Sequence, residues 1–158
     1  MEVYGKLLER VTSMNIELSL VVINAGLVSK GRLIKAKAKE IQSLMDVNMY
    51  QPTAMLKKFL PELTTKRKLQ KSGLIIVSSM TGDTALPAGA TYAASKAYVN
   101  YLAEGVEQEL AALGRKKDLD MQILAPFFVR TQMINDVNIP LQFLTVASTE
   151  SVVSSSLR

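Results

Sequence analysis

GLIIVSSMTGDTALPAGATYAASK, residues 73–96, contains a complete strand-to-helix passage, and its reading decides the fold. Residues 73–79 are a short apolar run rich in isoleucine and valine, the pattern of a buried strand. Gly82, Pro87 and Gly89 then interrupt the chain as a loop. From Thr91 apolar residues recur at helical spacing as far as residue 113, where Gly114 and the basic residues 115–117 mark a helix end.

Upstream, residues 18–23 form a second buried strand, which closes on Asn24, Ala25 and Gly26. Between the two strands Ile41, Leu44, Met45, Met55, Leu56 and Phe59 mark a helix over residues 39–63. Downstream, residues 120–125 make a third strand, stopped by Pro126. The order strand, helix, strand, helix, strand calls for right-handed crossovers and a parallel sheet, an α/β fold. Val3, Leu7, Val11 and Met14 predict a further helix ahead of the first strand, and the serine-rich residues 151–156 a weak terminal helix or a frayed end. The 158 residues read as one soluble globular domain without internal repeats.

Cysteine and histidine are both absent. That excludes disulfides, thiolate nucleophiles, histidine metal sites and Ser-His-Asp or Cys-His catalysis, and leaves Tyr, Lys, Asp and Glu for acid/base work. The most apolar windows, residues 18–23 and 123–129, fall far short of the ~20 residues of a membrane-spanning helix, and no signal-peptide pattern opens the chain. The net charge of +5 comes mainly from residues 30–39, 57–71 and 115–117. These clusters read first as solvated loops and helix ends. They lack the aromatic residues or recognition motif of a nucleic-acid surface, which makes that function the weakest alternative, whereas a phosphate-bearing substrate or cofactor would suit their charge.

Tyr92 and Lys96 lie four residues apart and therefore share one helix face. A cation within about 4–6 Å favours the phenolate, so Lys96 is expected to lower the tyrosine pKa from its usual value of roughly 10. In an open parallel sheet, ligands bind beyond the carboxyl ends of the strands. Asn24, Ser78, Ser79 and residues 126–131 all fall there, next to Tyr92 and Lys96. Asn48 interrupts the apolar stripe of the first long helix, with Pro52 four residues later. Proline has no N–H, so the Asn48 carbonyl is free to hold a water or a ligand; alternatively this is a plain proline kink whose asparagine is satisfied by a neighbouring loop.

With these residues in place the chain resembles the short-chain dehydrogenases/reductases over nearly its whole length. Tyr92-Ala-Ala-Ser-Lys96 matches the family's Y-x-x-x-K motif, and Ser79, 13 residues earlier, falls where its catalytic serine is found. Asn24-Ala25-Gly26 matches its N-A-G motif, preceded by Ile23 where a second asparagine is common, and Asn48 lies in the helix that supplies its catalytic asparagine. Pro126-Phe127-Phe128-Val129-Arg130-Thr131 stands for P-G-x-V-x-T, with phenylalanine replacing glycine. That variant and the segment TESVVSSSL, residues 149–157, look like the branch of very-long-chain 3-oxoacyl-CoA reductases and 17β-hydroxysteroid dehydrogenases, enzymes of the endoplasmic reticulum.

The resemblance implies a Rossmann-like, doubly wound parallel sheet and oxidation or reduction of a carbonyl/secondary alcohol with a nicotinamide cofactor, NADP(H) ahead of NAD(H). Tyr92 would be the general acid, Lys96 would hold the nicotinamide ribose, Ser79 would donate to the substrate oxygen, and the Asn48 carbonyl would hold a water leading from Lys96 to solvent. Val129 and Thr131, after Pro126, would face the nicotinamide, and Asn24, Ala25 and Gly26 would pass the adenosine. The resemblance also implies a homodimer through the two long helices, and a non-catalytic chain that uses those helices to bind a full-length relative is the alternative.

One expected element is missing. The eight glycines, at 5, 26, 31, 73, 82, 89, 105 and 114, include no G-x-G, G-x-x-G or G-x-x-x-G. The pyrophosphate-binding turn is expected upstream of Met1, so that the chain reads as a truncated domain with the second half of the fold, its fourth to sixth strands, and marginal stability by itself.

Overall fold

The computed structural model describes residues 2–14, 17–65, 70–131 and 146–157. Three short parallel strands, β1 (Leu20–Ile23), β2 (Ser72–Val77) and β3 (Leu119–Leu124), lie in the order β1-β2-β3, each within a few residues of the strand the sequence predicts. Val21 pairs with Leu74 and Leu74 with Met121, while Ile23 pairs with Ile76 and Ile76 with Ile123. This register puts the six side chains on one face, because successive strand residues alternate sides. There they meet Leu56, Phe59 and Leu63 of helix α3 (Gln51–Thr65) and Val99, Ala103 and Leu110 of helix α4 (Ala90–Ala112), which together form the core. Helix α1 (Glu2–Ser13), expected from its apolar spacing, adds Leu8 to the edge of that cluster.

The opposite face is different. Leu20 and Val22 of β1 are 46% and 49% exposed, so the run read as a buried strand is covered on one side only. Gln122 and Asp120 of β3 occupy the same face and are also exposed.

The first long helix is not continuous. Helix α2 (Ala38–Met45) enters a π turn, Asp46–Tyr50, whose wide loop is closed by Gln51 N donating to Asp46 O, and continues as α3. Pro52 explains the position: its ring would press on the carbonyl four residues back and it has no hydrogen to donate, so the chain widens just before it. Helix α4 ends as the sequence predicts. Gly114 takes φ 68°, Arg115 N donates to Leu110 O at 2.8 Å, and the Arg115 guanidinium reaches Thr64 O at 2.6 Å, tying the ends of α3 and α4 together.

The rest was less visible in the sequence. Phe128–Val129 (β4) and Val146–Ala147 (β5) form a two-residue parallel pair, and residues 151–156 belong to a formed helix, α5 (Thr149–Ser156), whose cap Ser148 accepts from Ser151 N. Each of the three basic clusters carries an ion pair at the surface: Lys37 with Glu40 at 3.7 Å, Lys71 with Asp120 and Lys116 with Glu107 at 2.8 Å, and Arg115 with Asp118 at 3.4 Å. Residues 66–69 of the cluster 57–71 lie outside the described residues.

Candidate active site

The ends of β1 and β2, the π turn and the first turns of α4 converge at one rim. Ser78 is anchored there by its N–H, which donates to Leu124 O at 2.8 Å, and the chain then turns through a short 3-10 segment, Met80–Gly82. Met80 N donates to Pro126 O at 3.2 Å, which holds the segment after β3 against Ser79. Gly82 is needed for this turn to lie on α4. A Cβ there would come within 2.7 Å of Asn100 Nδ2 and 3.1 Å of Lys96 O, closer than side chains tolerate.

Thr81 donates to Ser79 Oγ twice, from its hydroxyl at 3.0 Å and its N–H at 3.3 Å. The Ser79 hydroxyl also acts on the Tyr92 phenol, where a hydrogen bond from it favours the phenolate. Burial raises the phenol above its ordinary pKa, and the Ser79 hydrogen bond opposes that shift without overcoming it. The expected lowering by Lys96 is therefore corrected. The ammonium lies 5.9 Å from the ring centroid, and lost hydration is the larger influence on the phenol.

Lys96 is itself 5% exposed, and burial pulls its pKa down to about 8. Its ammonium donates to Val77 O at 3.0 Å, and among the described residues no carboxylate pairs with it. Gly26 stands beside it: a Cβ at that position would lie 3.6 Å from Lys96 Nζ and 3.7 Å from Asn48 Oδ1. The missing side chain leaves room next to a hydrogen-bond donor, which fits a ribose hydroxyl.

Asn48, 2% exposed, is fully engaged through its side chain. Oδ1 accepts from Leu27 N at 2.8 Å, while Nδ2 donates to Leu27 O at 2.8 Å and to Ser95 Oγ at 2.9 Å. The side-chain amide is thus satisfied by a neighbouring loop, separately from the backbone carbonyl of the same residue. Ser95 Oγ in turn donates to Tyr92 O at 2.7 Å, so a continuous chain of hydrogen bonds runs from the loop after β1 through the π turn to the backbone of Tyr92. Ser95 was passed over in the sequence as a small residue inside the motif. Its signal was position, three residues after Tyr92 on the buried side of α4.

The structure thus brings Ser79, Tyr92, Lys96, Asn48 and Gly26 together. Asn24 and Ala25 are exposed at the end of β1, Pro126 is held next to the Ser79 turn, Val129 belongs to the β4–β5 pair, and Thr131 is exposed beyond it. Among the described residues no helix is long and apolar enough to cross a membrane.

Comparison with known proteins gives this arrangement its relatives. The short chain dehydrogenase family model matches residues 2–141. An uncharacterized oxidoreductase of Myxococcus xanthus is 28% identical over 140 residues, covering 87% of this chain and 53% of that protein. A 3-oxoacyl-[acyl-carrier-protein] reductase of Synechocystis is 32% identical over 133 residues, covering 82% and 51%. The chain therefore spans about half the length of these two relatives. A crystal structure of a short chain dehydrogenase from Burkholderia cenocepacia, in complex with NADP, shares the fold with a TM-score of 0.69 at 23% identity, over 94% of this chain and 70% of that one. With the matched segment, the parallel sheet and the Ser79–Tyr92–Lys96 cluster agreeing, the chain belongs to the short-chain dehydrogenase/reductase family.

Proposed function

We propose that the chain acts in the reduction of a ketone, or the oxidation of the matching secondary alcohol, with Tyr92 moving the proton. The observation that carries this reading is the buried Lys96 ammonium 5.9 Å from the Tyr92 ring, with the buried Ser79 at the end of the neighbouring strand. A bound nicotinamide dinucleotide would supply or accept the hydride. Burial keeps the phenol protonated near neutrality, the state a general acid needs, and Tyr92 O–H passes its hydrogen to the carbonyl oxygen. Ser79 donates to the same oxygen and stabilises the charge that grows there. Lys96, mostly charged at pH 7 with a pKa of about 8, would hold the ribose in the space left by Gly26, and the Asn48 backbone carbonyl would hold the water leading from Lys96 to solvent. Asn24, Ala25, Pro126, Val129 and Thr131 would flank the cofactor. NADP(H) is favoured over NAD(H), a choice supported by the Burkholderia relative.

A 3-oxoacyl thioester is the favoured substrate and a ketosteroid the next. The Synechocystis relative and the Pro126–Thr131 variant support the first, and the resemblance of that variant to the branch favours the endoplasmic reticulum as the location. The test is consumption of NADPH by the purified chain with a 3-oxoacyl-CoA. Tyr92→Phe should reduce turnover by about 10²-fold or more. Turnover that survives this substitution would sink the assignment of Tyr92.

A second reading is association with a longer relative, or with a second copy, through the α2–α3 segment and α4. Tyr101 and Leu113 of α4 are 77% and 74% exposed, large apolar groups that favour such a contact. Co-purification with a longer relative in the absence of turnover would select it.

A further inference from the structure

We infer that the segment following β1, residues 30–39, is a peripheral contact for an anionic membrane surface. Leu33–Lys35 form a single 3-10 turn, and Ile34 at its tip is 88% exposed, the most exposed large hydrophobic among the described residues; Leu33 beside it is 56% exposed. Arg32, Lys35, Lys37 and Lys39 lie within five residues of this tip along the chain, and no acidic residue occurs between Glu17 and Glu40. Lys37 approaches Glu40 at 3.7 Å with both side chains largely in water, so that pair leaves its charge available.

The tip is also held in place. Asn48 grips Leu27 by N–H and carbonyl, and Gly31 N donates to Ala88 O at 2.8 Å, which fixes the loop on both sides of residues 28–30. Lys35 N and Ala36 N donate back to Arg32 O and Leu33 O at 2.9 and 3.1 Å, closing the turn, and the flanking Arg32 and Ala36 are extended. A preformed turn with an apolar point and a basic collar loses little freedom on insertion.

The chemistry of the occupant follows from that pairing. A nucleic acid would be met by aromatic stacking, and residues 24–45 contain no aromatic side chain. A small soluble anion would satisfy the cations and leave Ile34 in water. The boundary of a bilayer offers anionic headgroups to the collar and acyl chains to the tip at once. One turn buries little area, so binding should be reversible and salt-sensitive, with each basic residue contributing about fivefold.

The test is co-sedimentation of the full chain with vesicles of phosphatidylcholine alone and with added phosphatidylserine. The chain is expected to pellet with the anionic vesicles at low salt and to remain in solution with the neutral ones. Ile34→Asp, at a position where no core contact is lost, should weaken pelleting about tenfold, and the pair Lys35→Glu with Lys39→Glu by more than that. Lys57→Glu, in another basic cluster, should leave it unchanged. Failure to pellet with either vesicle overturns the inference, as does equal binding by the Ile34→Asp chain or an equal loss in Lys57→Glu. Retention on immobilised polyphosphate without vesicle binding overturns it too, in favour of a soluble anion.

Discussion

The two sides of the sheet invert the usual rule about what is buried. The helix-covered side ends at the rim in polar residues sealed from water: Asn48, Ser95 and Lys96 are at most 5% exposed. The other side presents Leu20 and Val22 nearly half open. Position relative to the helices, and not the polarity of the residue, decides burial here. The sealed polar groups persist because each finds partners: Asn48 makes three hydrogen bonds, and Lys96 gives one to Val77 O. Open apolar groups need no partner, only the modest tolerance that surfaces extend to them.

The sharpest way to break this comparison is on the covered side. Ile76→Ala empties a site that is 1% exposed between α3 and α4 and should destabilise the chain by about 2–5 kcal/mol, measured by urea titration. A loss below about 1 kcal/mol would mean that the core closes easily and that the two sides hardly differ.

Lys96 gives the next largest effect, through pH. Its pKa falls from 10.5 when unfolded to about 8 when folded, so between these values the unfolded chain carries the extra proton. Stability should therefore rise as pH increases from about 8 towards 10.5, and Lys96→Met should flatten that slope. Tyr92, raised above 10.0, acts oppositely at still higher pH, because there the unfolded chain loses its proton first. A slope identical in Lys96→Met would show that the ammonium is not sealed.

Removing one partner from the polar cluster comes third. Asn48→Ala leaves the Leu27 backbone and Ser95 without their amide and should destabilise the chain by about 1–3 kcal/mol. It should also speed amide exchange at Leu27, whose N–H now has an acceptor at 2.8 Å, and unchanged exchange there would remove the clamp from the account. The smallest effect belongs to the open side: Val22→Thr should change the stability measured by urea titration by no more than about 0.5 kcal/mol. A loss comparable to that of Ile76→Ala would reveal cover on this face.

The sequence resolved those features that repeat or that occupy fixed spacings. The three strands, the α4 helix with its Gly114 end, and the Ser79–Tyr92–Lys96 constellation depend on periodicity and on residue type at a distance, both written locally. Its limits have physical causes. An all-apolar run such as residues 20–23 has the same pattern whether one face or two are covered, so the exposure of Val22 needed the third dimension. The direction of the Tyr92 shift depended on how much water burial removes, against a cation whose distance the helix alone does not set. The role of Ser95 required knowing that α4 and the π turn meet, and the β4–β5 pair is too short to leave a period.

The π turn at Asp46–Tyr50 makes the chain unequally tolerant of small genetic lesions. A helix that carries a surplus residue can lose it and remain largely helical, so an in-frame deletion of one codon within residues 46–50 would tighten the winding and leave a kink at Pro52. The repair would come at the wrong place: everything before the deletion would turn by about 100° relative to α3, and the residue facing Leu27 and Ser95 would no longer be the asparagine. A chain so shortened should look well folded by its helix content and yet lack the connection that holds Tyr92 at the rim.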